Sequence, residues 1–254
     1  MQRSIILGIV QGLTEFFPVS STAHLILFPW FFGWHGEIDS LTFDVALHGG
    51  TLLALLVCFY KDWLELLTKE RQKLCYILAA IVPAGAVGIL FKSFIEHQLR
   101  NPLIMVATLI GFGAVMLAVE KHSAKNRESV SFRDAMFIGV AQALALIPGV
   151  SRSGITITAG LFRGLSRESA ARFSFLLSTP VIAGATLLEC RKLIKSPEAY
   201  NLDMFTAGFL AAFVSGFFAI KFLLAYLRKN PLNVFVYYRF ALAAVIVAAY
   251  FRMQ

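Results

Sequence analysis

With 254 residues, 58% of them hydrophobic and only 15% charged, and a mean hydropathy of +0.72, the chain has too few polar residues to cover a single soluble core. Soluble domains carry about 25% charged residues, whereas a bilayer span needs roughly 20 apolar residues, so an integral membrane protein is expected. The net charge of +8 does not argue for nucleic acid: the basic residues fall between apolar runs, as at Lys69, Arg71 and Lys73 or at Lys121, Lys125 and Arg127, the pattern of loops facing anionic lipid, and no nucleic-acid-binding motif is present.

The first apolar stretch, 4–33, breaks at Pro18, Val19, Ser20, Ser21 and Thr22. Met1 to Leu13 resembles a signal peptide, but Glu15 follows, Met1–Arg3 is weakly basic and no small-residue cleavage site appears, so it is expected to stay uncleaved. Each half of the stretch is too short to cross, and backbone freed at bilayer depth must be covered by protein or line a watery cavity. The expected element is a helix–loop–helix hairpin that enters and leaves on one side. Gln11 and Glu15, four apart, share a helix face, and His24 opens the second half-helix. An acid, a hydroxyl cluster and an imidazole so close together can supply metal ligation, a nucleophile and a proton carrier. Plainer roles stay open: Glu15 as a structural partner of a cation, His24 as an interfacial histidine, Ser20 as a helix cap.

Full spans are predicted over 43–60, 74–93 and 102–120, with breaks at Lys61-Asp62 and Arg100-Asn101-Pro102. Asp44 heads the first of them, either beside the site or as a cap. A second interrupted stretch, 132–163, breaks at Pro148, Gly149, Val150, Ser151, Arg152, Ser153 and Gly154, and is read as a second hairpin. Arg152 is its most informative residue, because an arginine in an apolar stretch is costly and its fork matches phosphate oxygens. Ser151, Ser153 and Thr156 offer hydroxyls, Gly149 and Gly154 allow a tight turn, and a half-helix starting near Ser153 would aim free N–H groups at an anion. Three more spans, 170–188, 205–226 and 234–251, close the chain, the last two separated by Arg228-Lys229-Asn230-Pro231. Lys221 and Arg239, near span ends, are read as snorkelling. Cys58, Cys75 and Cys190 fit no metal spacing and are read as small buried apolar residues.

The two hairpins look like copies. A shift of 131 places Gly8 on Gly139, Gln11 on Gln142, Leu13 on Leu144, Val19 on Val150, Ser20 on Ser151 and Ser21 on Arg152. Three spans lie between them, and an odd number reverses orientation, which predicts an inverted repeat whose loop tips meet near the midplane. The expectation is one all-α polytopic membrane domain, 1–254, with six transmembrane helices and two re-entrant hairpins in inverted repeats of approximately 1–120 and 132–251. Thirteen Lys and Arg fall on one face against seven on the other, which puts the first face in the cytoplasm and the mouth of the first hairpin outside.

The segments Gln11-Gly-Leu-Thr-Glu15-Phe-Phe-Pro-Val-Ser-Ser-Thr-Ala-His24 and Pro148-Gly-Val-Ser-Arg-Ser-Gly-Ile-Thr156 resemble the two signature motifs of the bacterial undecaprenyl-diphosphate phosphatase family, also called bacitracin-resistance proteins. Similarity extends through Phe43-Asp44-Val45 and Phe173–Pro180. The resemblance implies hydrolysis of the C55 lipid carrier diphosphate to its monophosphate, recycling the carrier for cell-wall synthesis and conferring bacitracin resistance. It also implies a divalent cation, Mg2+ or Ca2+, and a site open to the outer side of the bacterial inner membrane. Position by position, Glu15 matches the essential acid, Ser21 the proposed nucleophile, His24 the catalytic histidine and Arg152 the phosphate-binding arginine, with Ser20, Thr22, Gly149, Ser151, Ser153 and Thr156 beside them. Gln11 stands where many members carry Glu, which leaves Glu15, Gln11 and substrate oxygens as the metal ligands. The expected partners are the polyprenyl diphosphate lipid and the bilayer; a homodimer is allowed.

The expected reaction is in-line displacement at the terminal phosphorus by Ser21, with His24 and Glu15 moving its proton. Attack by His24 or by metal-bound water stays open. The rival of another class is a lipid-phosphate transporter, since inverted repeats with broken helices are also a transporter signature; a binding-only lipid sensor is a third.

Overall fold

Breaks in the apolar sequence become helix ends in the structure, a computed structural model that describes residues 1–91, 99, 101–195 and 201–252, with side chains at all of these but 188–195. The readings of Lys92 and Arg100, and of the side chains of Cys190, Arg191, Lys192 and Lys195, lie outside the described residues. The first two helices are α1 (Gln2–Phe16) and α2 (Ser21–Phe32). Then come α3 (Leu41–Cys58), α4 (Tyr60–Thr68), α5 (Arg71–Leu90) and α6 (Pro102–His122). The second half holds α7 (Phe132–Gln142), α8 (Arg152–Phe162), α9 (Arg167–Lys195), α10 (Leu202–Leu227) and α11 (Asn233–Arg252).

Six of these, α3, α5, α6, α9, α10 and α11, are long and apolar enough to cross a membrane. They match the six spans read from sequence, except that the first ends at Cys58 and a separate amphipathic helix, α4, follows it. Many large apolar side chains, such as Val82, Ile89, Leu90 and Phe218, point outward, as a lipid-facing surface requires. Cys75 belongs to that surface and is exposed, not buried as expected, while Cys58 is half-buried.

At a rise of about 1.5 Å per residue, α1, α2, α7 and α8 each fall short of a hydrocarbon core of roughly 30 Å. Each pair folds back on itself. The Arg3 guanidinium lies over the Trp34 ring at 5.5 Å, joining the start of α1 to the end of α2, and Phe137 stacks on Phe162 with ring centroids 5.6 Å apart, joining α7 to α8. The second break starts earlier than expected: α7 tightens into a 3-10 turn at Ala143–Leu146 before the loop reaches Pro148.

The helix pairing is crossed between the halves. α1 packs chiefly on α10, and α7 on α5. Gly8 makes the first contact possible: a Cβ there would stand 2.3 Å from the Gly208 carbonyl oxygen. Gly139, its counterpart 131 residues on, does the same for α7, since its Cβ would meet the Ala80 carbonyl oxygen at 2.2 Å. Small residues at such crossings let backbones approach closely, and dispersion contacts then supply the adhesion that lipid cannot. At the end of α6, the loop after it is clamped by charge. Asp134, its side chain fully buried, accepts from Arg127 at 2.7 Å and from Arg163 at 2.8 Å, and Glu120 pairs with Arg167 and Lys125. Arg172 pairs with Asp62, and Arg228 with Glu168 at 2.8 Å. The basic residues that marked one face in the sequence are therefore also structural.

Candidate active site

The site begins with two serines in the same unusual backbone. Ser20 has φ 76 and ψ 93; Ser151, its counterpart, has φ 73 and ψ 116. Positive φ is uncommon outside glycine and costs of order 1–3 kcal/mol, a strain that collects at functional sites. Each serine caps the helix it precedes, Ser20 accepting from the Ala23 N–H at 3.4 Å and Ser151 from the Gly154 N–H at 3.1 Å. As a result, the N-termini of α2 and α8 both open at the breaks, where first-turn N–H groups lack helical partners and favour an anion.

The side chains that follow the two caps meet on one carboxylate. Ser21 donates to Glu15 Oε2 at 2.6 Å, and the Arg152 guanidinium pairs with Glu15 Oε1. Gln11 donates from Nε2 to Glu15 Oε2 at 3.0 Å, one turn back on α1. Glu15 is buried, so its charge is held by this set and not by water. Two polar atoms beside it remain unsatisfied: Arg152 Nη1 and Gln11 Oε1. A buried guanidinium nitrogen without an acceptor is poised for an anionic oxygen, and a buried amide oxygen without a donor for a cation or a water.

A cavity of about 250 Å³ opens on this group. Glu15, Ser20, Ser21, Thr22, Ser151 and Arg152 line its polar end; Ala145 to Pro148, with Val45 of α3 and Val181, Ile182 and Ala185 of α9, form an apolar wall. His48 also lines it, and sequence reasoning passed over this residue. Its Nδ1–H donates to the Asp44 carbonyl at 2.7 Å, which turns Nε2 towards Glu15 Oε2 at 3.5 Å. His48 Nε2 therefore faces the Glu15 carboxylate at the edge of the cavity. The signal lay in the sequence: His48 follows Asp44 by one helical turn, inside the stretch that begins with Phe43-Asp44-Val45.

The structure does not bring every expected residue to the cavity. His24 is buried beneath the first loop. Its Nδ1–H donates to the Ser20 carbonyl at 2.7 Å, and Nε2 accepts from the Tyr238 hydroxyl at 2.7 Å, so neither nitrogen reaches Ser21 or Glu15. Ser153 donates to the Phe17 carbonyl at 3.1 Å, which ties the second loop to the first. Thr156, one turn deeper, donates to the Arg152 carbonyl at 2.7 Å and meets the Ser174 hydroxyl at 2.6 Å. Gly149, at φ 91, leaves no room for a side chain, since its Cβ would sit 2.1 Å from Thr108 Oγ1. These residues shape the loops from below. Arg239 does so too, and it corrects the snorkelling expectation: its side chain is completely buried, with every N–H on a backbone carbonyl.

Among the described residues no group of three His, Cys, Asp or Glu side chains is placed to hold a metal ion. One carboxylate and the orphaned Gln11 oxygen do fit a divalent cation that arrives with a diphosphate, because Mg2+ commonly takes one or two carboxylates plus phosphate oxygens.

The sequence is similar to those of known proteins over most of its length. The family model described as "Bacitracin resistance protein BacA" matches residues 4–245. Among similar curated proteins, the undecaprenyl-diphosphatase of Thermodesulfovibrio yellowstonii is 55% identical over 249 residues, covering 98% of this chain and 97% of that protein. The undecaprenyl-diphosphatase of Moorella thermoacetica is 46% identical over 258 residues, with 98% and 97% covered. That of Elusimicrobium minutum is 42% identical over 253 residues, with 96% of each covered.

Proposed function

The chain belongs to the bacitracin resistance protein BacA family, and from that membership we propose that the cavity between its two broken helices is where undecaprenyl diphosphate loses its terminal phosphate. The activity is that of an undecaprenyl-diphosphatase, a hydrolase, on a multi-pass membrane protein of bacteria. One observation carries the choice of site. A hydroxyl from the first loop and a guanidinium from the second bond opposite oxygens of the same Glu15 carboxylate, inside a cavity with an apolar wall.

The chemistry follows from that arrangement. The terminal phosphate displaces Glu15 from Arg152 and takes up the free Nη1, with the two helix N-termini facing its remaining oxygens. Ser21 Oγ attacks phosphorus in line, and its proton passes to Glu15, already its hydrogen-bond partner. The bond to the bridging oxygen breaks, and the electron pair leaves with the prenyl monophosphate, which needs no acid to depart as an anion. Water then attacks the phosphoserine, giving inorganic phosphate and returning the proton to Ser21. His48, beside Glu15, is placed to hold the proton between the two steps. Glu15 and the Gln11 oxygen would hold a divalent cation, which neutralises diphosphate charge when bound. His24, with both nitrogens engaged, is read as a support for the Ser20 carbonyl and not as the proton carrier.

The two hairpins are read as re-entrant, in an inverted repeat of 1–120 and 132–251, with the cavity open to the outer side. Supporting this are the crossed pairing of α1 with α10 and α7 with α5, the matched roles of Gly8 and Gly139, and the excess of Lys and Arg at the other end. The test is phosphate release from a prenyl diphosphate by the purified protein in detergent, where no gradient exists and a pure transporter yields nothing. Arg152→Ala is expected to be inactive, and quenched turnover of the parent protein is expected to trap a phosphorylated Ser21. Normal turnover by Arg152→Ala removes the clamp; a phosphohistidine removes Ser21 as nucleophile.

A further inference from the structure

Breaking two helices inside a bilayer creates a problem that the sequence motifs do not solve. Carbonyls at the breaks lose their helical N–H partners, and each unsatisfied group at that depth is costly. Pro18, Gly149 and Val150 carry such carbonyls; the Gly154 N–H, four residues after Val150, is spent on the Ser151 hydroxyl. All three are instead met by one side chain from α11. Arg239 Nη1 donates to Pro18 at 3.3 Å and to Val150 at 3.1 Å, and Nη2 donates to Gly149 at 2.9 Å. Its other two N–H groups reach the Thr108 carbonyl at 3.3 Å and the Leu109 carbonyl at 3.2 Å on α6.

We propose that Arg239 is the positioning residue of this enzyme, a fixed cation that locks the two loops to each other and to α6 so that Ser21 and Arg152 meet on one phosphate. The proposal rests on the site reading given above. A guanidinium has five N–H donors, and here each goes to a separate carbonyl, which leaves none for substrate. Arg239 therefore differs in kind from Arg152, which lines the cavity and keeps one nitrogen without a partner. Pro18 and Gly149 are 131 residues apart, so one side chain grips equivalent points of both loops. Each of these carbonyls lies three positions before the working side chain, Ser21 in one case and Arg152 in the other. Thr108 adds a second anchor by donating from its hydroxyl to the Pro148 carbonyl at 2.7 Å. Lysine keeps the charge but offers three donors in no plane, so it cannot span the two loops and α6 together.

The experiment compares Arg239→Lys and Thr108→Val with the parent protein, by steady-state and single-turnover phosphate release in detergent. For Arg239→Lys the single-turnover rate constant should fall about 100-fold, the effect of misplacing a reacting group by around 1 Å. KM should stay within about threefold, because substrate binding is not what Arg239 supplies. Thr108→Val should lose rate in the same way by roughly 10-fold, and it decides the matter alone if Arg239→Lys does not fold. A rate constant per bound molecule is unchanged by a mere loss of folded protein, so a purely structural role predicts parent-like single turnover. That result, or a loss confined to KM, overturns the proposal. Failure is separable from failure of the site itself: parent-like Arg239→Lys beside inactive Arg152→Ala ends this inference alone, whereas active Arg152→Ala ends the site reading.

Discussion

Arg152 and Arg239 show how differently one residue type acts inside a membrane protein. Both are buried cations, yet one has a carboxylate partner and a free nitrogen, and the other has five carbonyls and nothing to spare. The rule that an intramembrane arginine is functional by default applied to both, but only Arg152 sat among serines and glycines, so only it stood out in the sequence. Bonds to carbonyls leave no trace in sequence, because any residue supplies a carbonyl. His24 makes a related point: spacing puts an imidazole near Ser21, while its i−4 bond to the Ser20 carbonyl turns Nδ1 to the backbone. Arg152→Lys should cut kcat about 100-fold, since a point charge replaces a two-pronged grip, and steady-state phosphate release measures it. His48→Gln removes the imidazole that faces Glu15 while keeping a polar side chain of similar size. A fall in kcat of about 100-fold with KM little changed is expected, and an unchanged kcat removes His48 from the proton path.

Among elements, the short helices were legible from sequence because apolar runs of insufficient length were interrupted by Pro, Gly and Ser. What they pack against was not. The shift of 131 aligned Gly8 with Gly139, but only the structure shows that each gives passage to a helix of the other half, α10 for one and α5 for the other. Gly8→Ala and Gly139→Ala should therefore each destabilise the protein by roughly 1–3 kcal/mol, because the added carbon meets a backbone carbonyl that cannot swing aside. Thermal unfolding in detergent measures both, and a large loss for one with none for the other would break the equivalence. The entry to α7 is governed by charge instead. Burial pushes the Asp134 carboxyl up, but hydrogen bonds from Arg127, Ser131 and Arg163 outweigh it and hold the group below the usual carboxylate range. A depressed carboxylate contributes stability that is complete above its unfolded value near about pH 4 and is lost as acid titrates the folded form. Asp134→Asn should cost about 3 kcal/mol, the low end for a broken buried pair because both arginines keep a solvent-facing side. The deficit should be constant from neutral pH down to the unfolded carboxyl's value near about pH 4 and shrink below it. A deficit that disappears at neutral pH would show that the ion pair does not hold α7.

At the scale of the whole molecule, the crossed pairing explains why the two loops need each other. α1 finds its main partner in α10 and α7 in α5, so the halves interlock, and side chains beside both loops meet on Glu15. The distribution of charge along the chain predicts an orientation for the interlocked helices. Counting Lys and Arg along the sequence, thirteen against seven, predicts that the turn between α2 and α3 lies outside and the segment after α6 inside. Much of the basic excess is tied up in ion pairs with Asp62, Glu120, Asp134 and Glu168, which weakens its pull on anionic lipid but not the asymmetry that sets insertion, since carboxylates contribute little to that rule. Gly36 and Lys121 are exposed at the two ends. In a background with Cys58, Cys75 and Cys190 replaced by serine, Gly36→Cys is expected to react in intact cells with a membrane-impermeant maleimide. Lys121→Cys is expected to react only after the membrane is opened. The same cells report the cavity's side, because Gly36 lies between the hairpin that carries Glu15 and Ser21 and the helix that carries His48. The reverse labelling pattern would turn the cavity to the cytoplasm, and the phosphate would then be released on the side where the lipid carrier is next loaded.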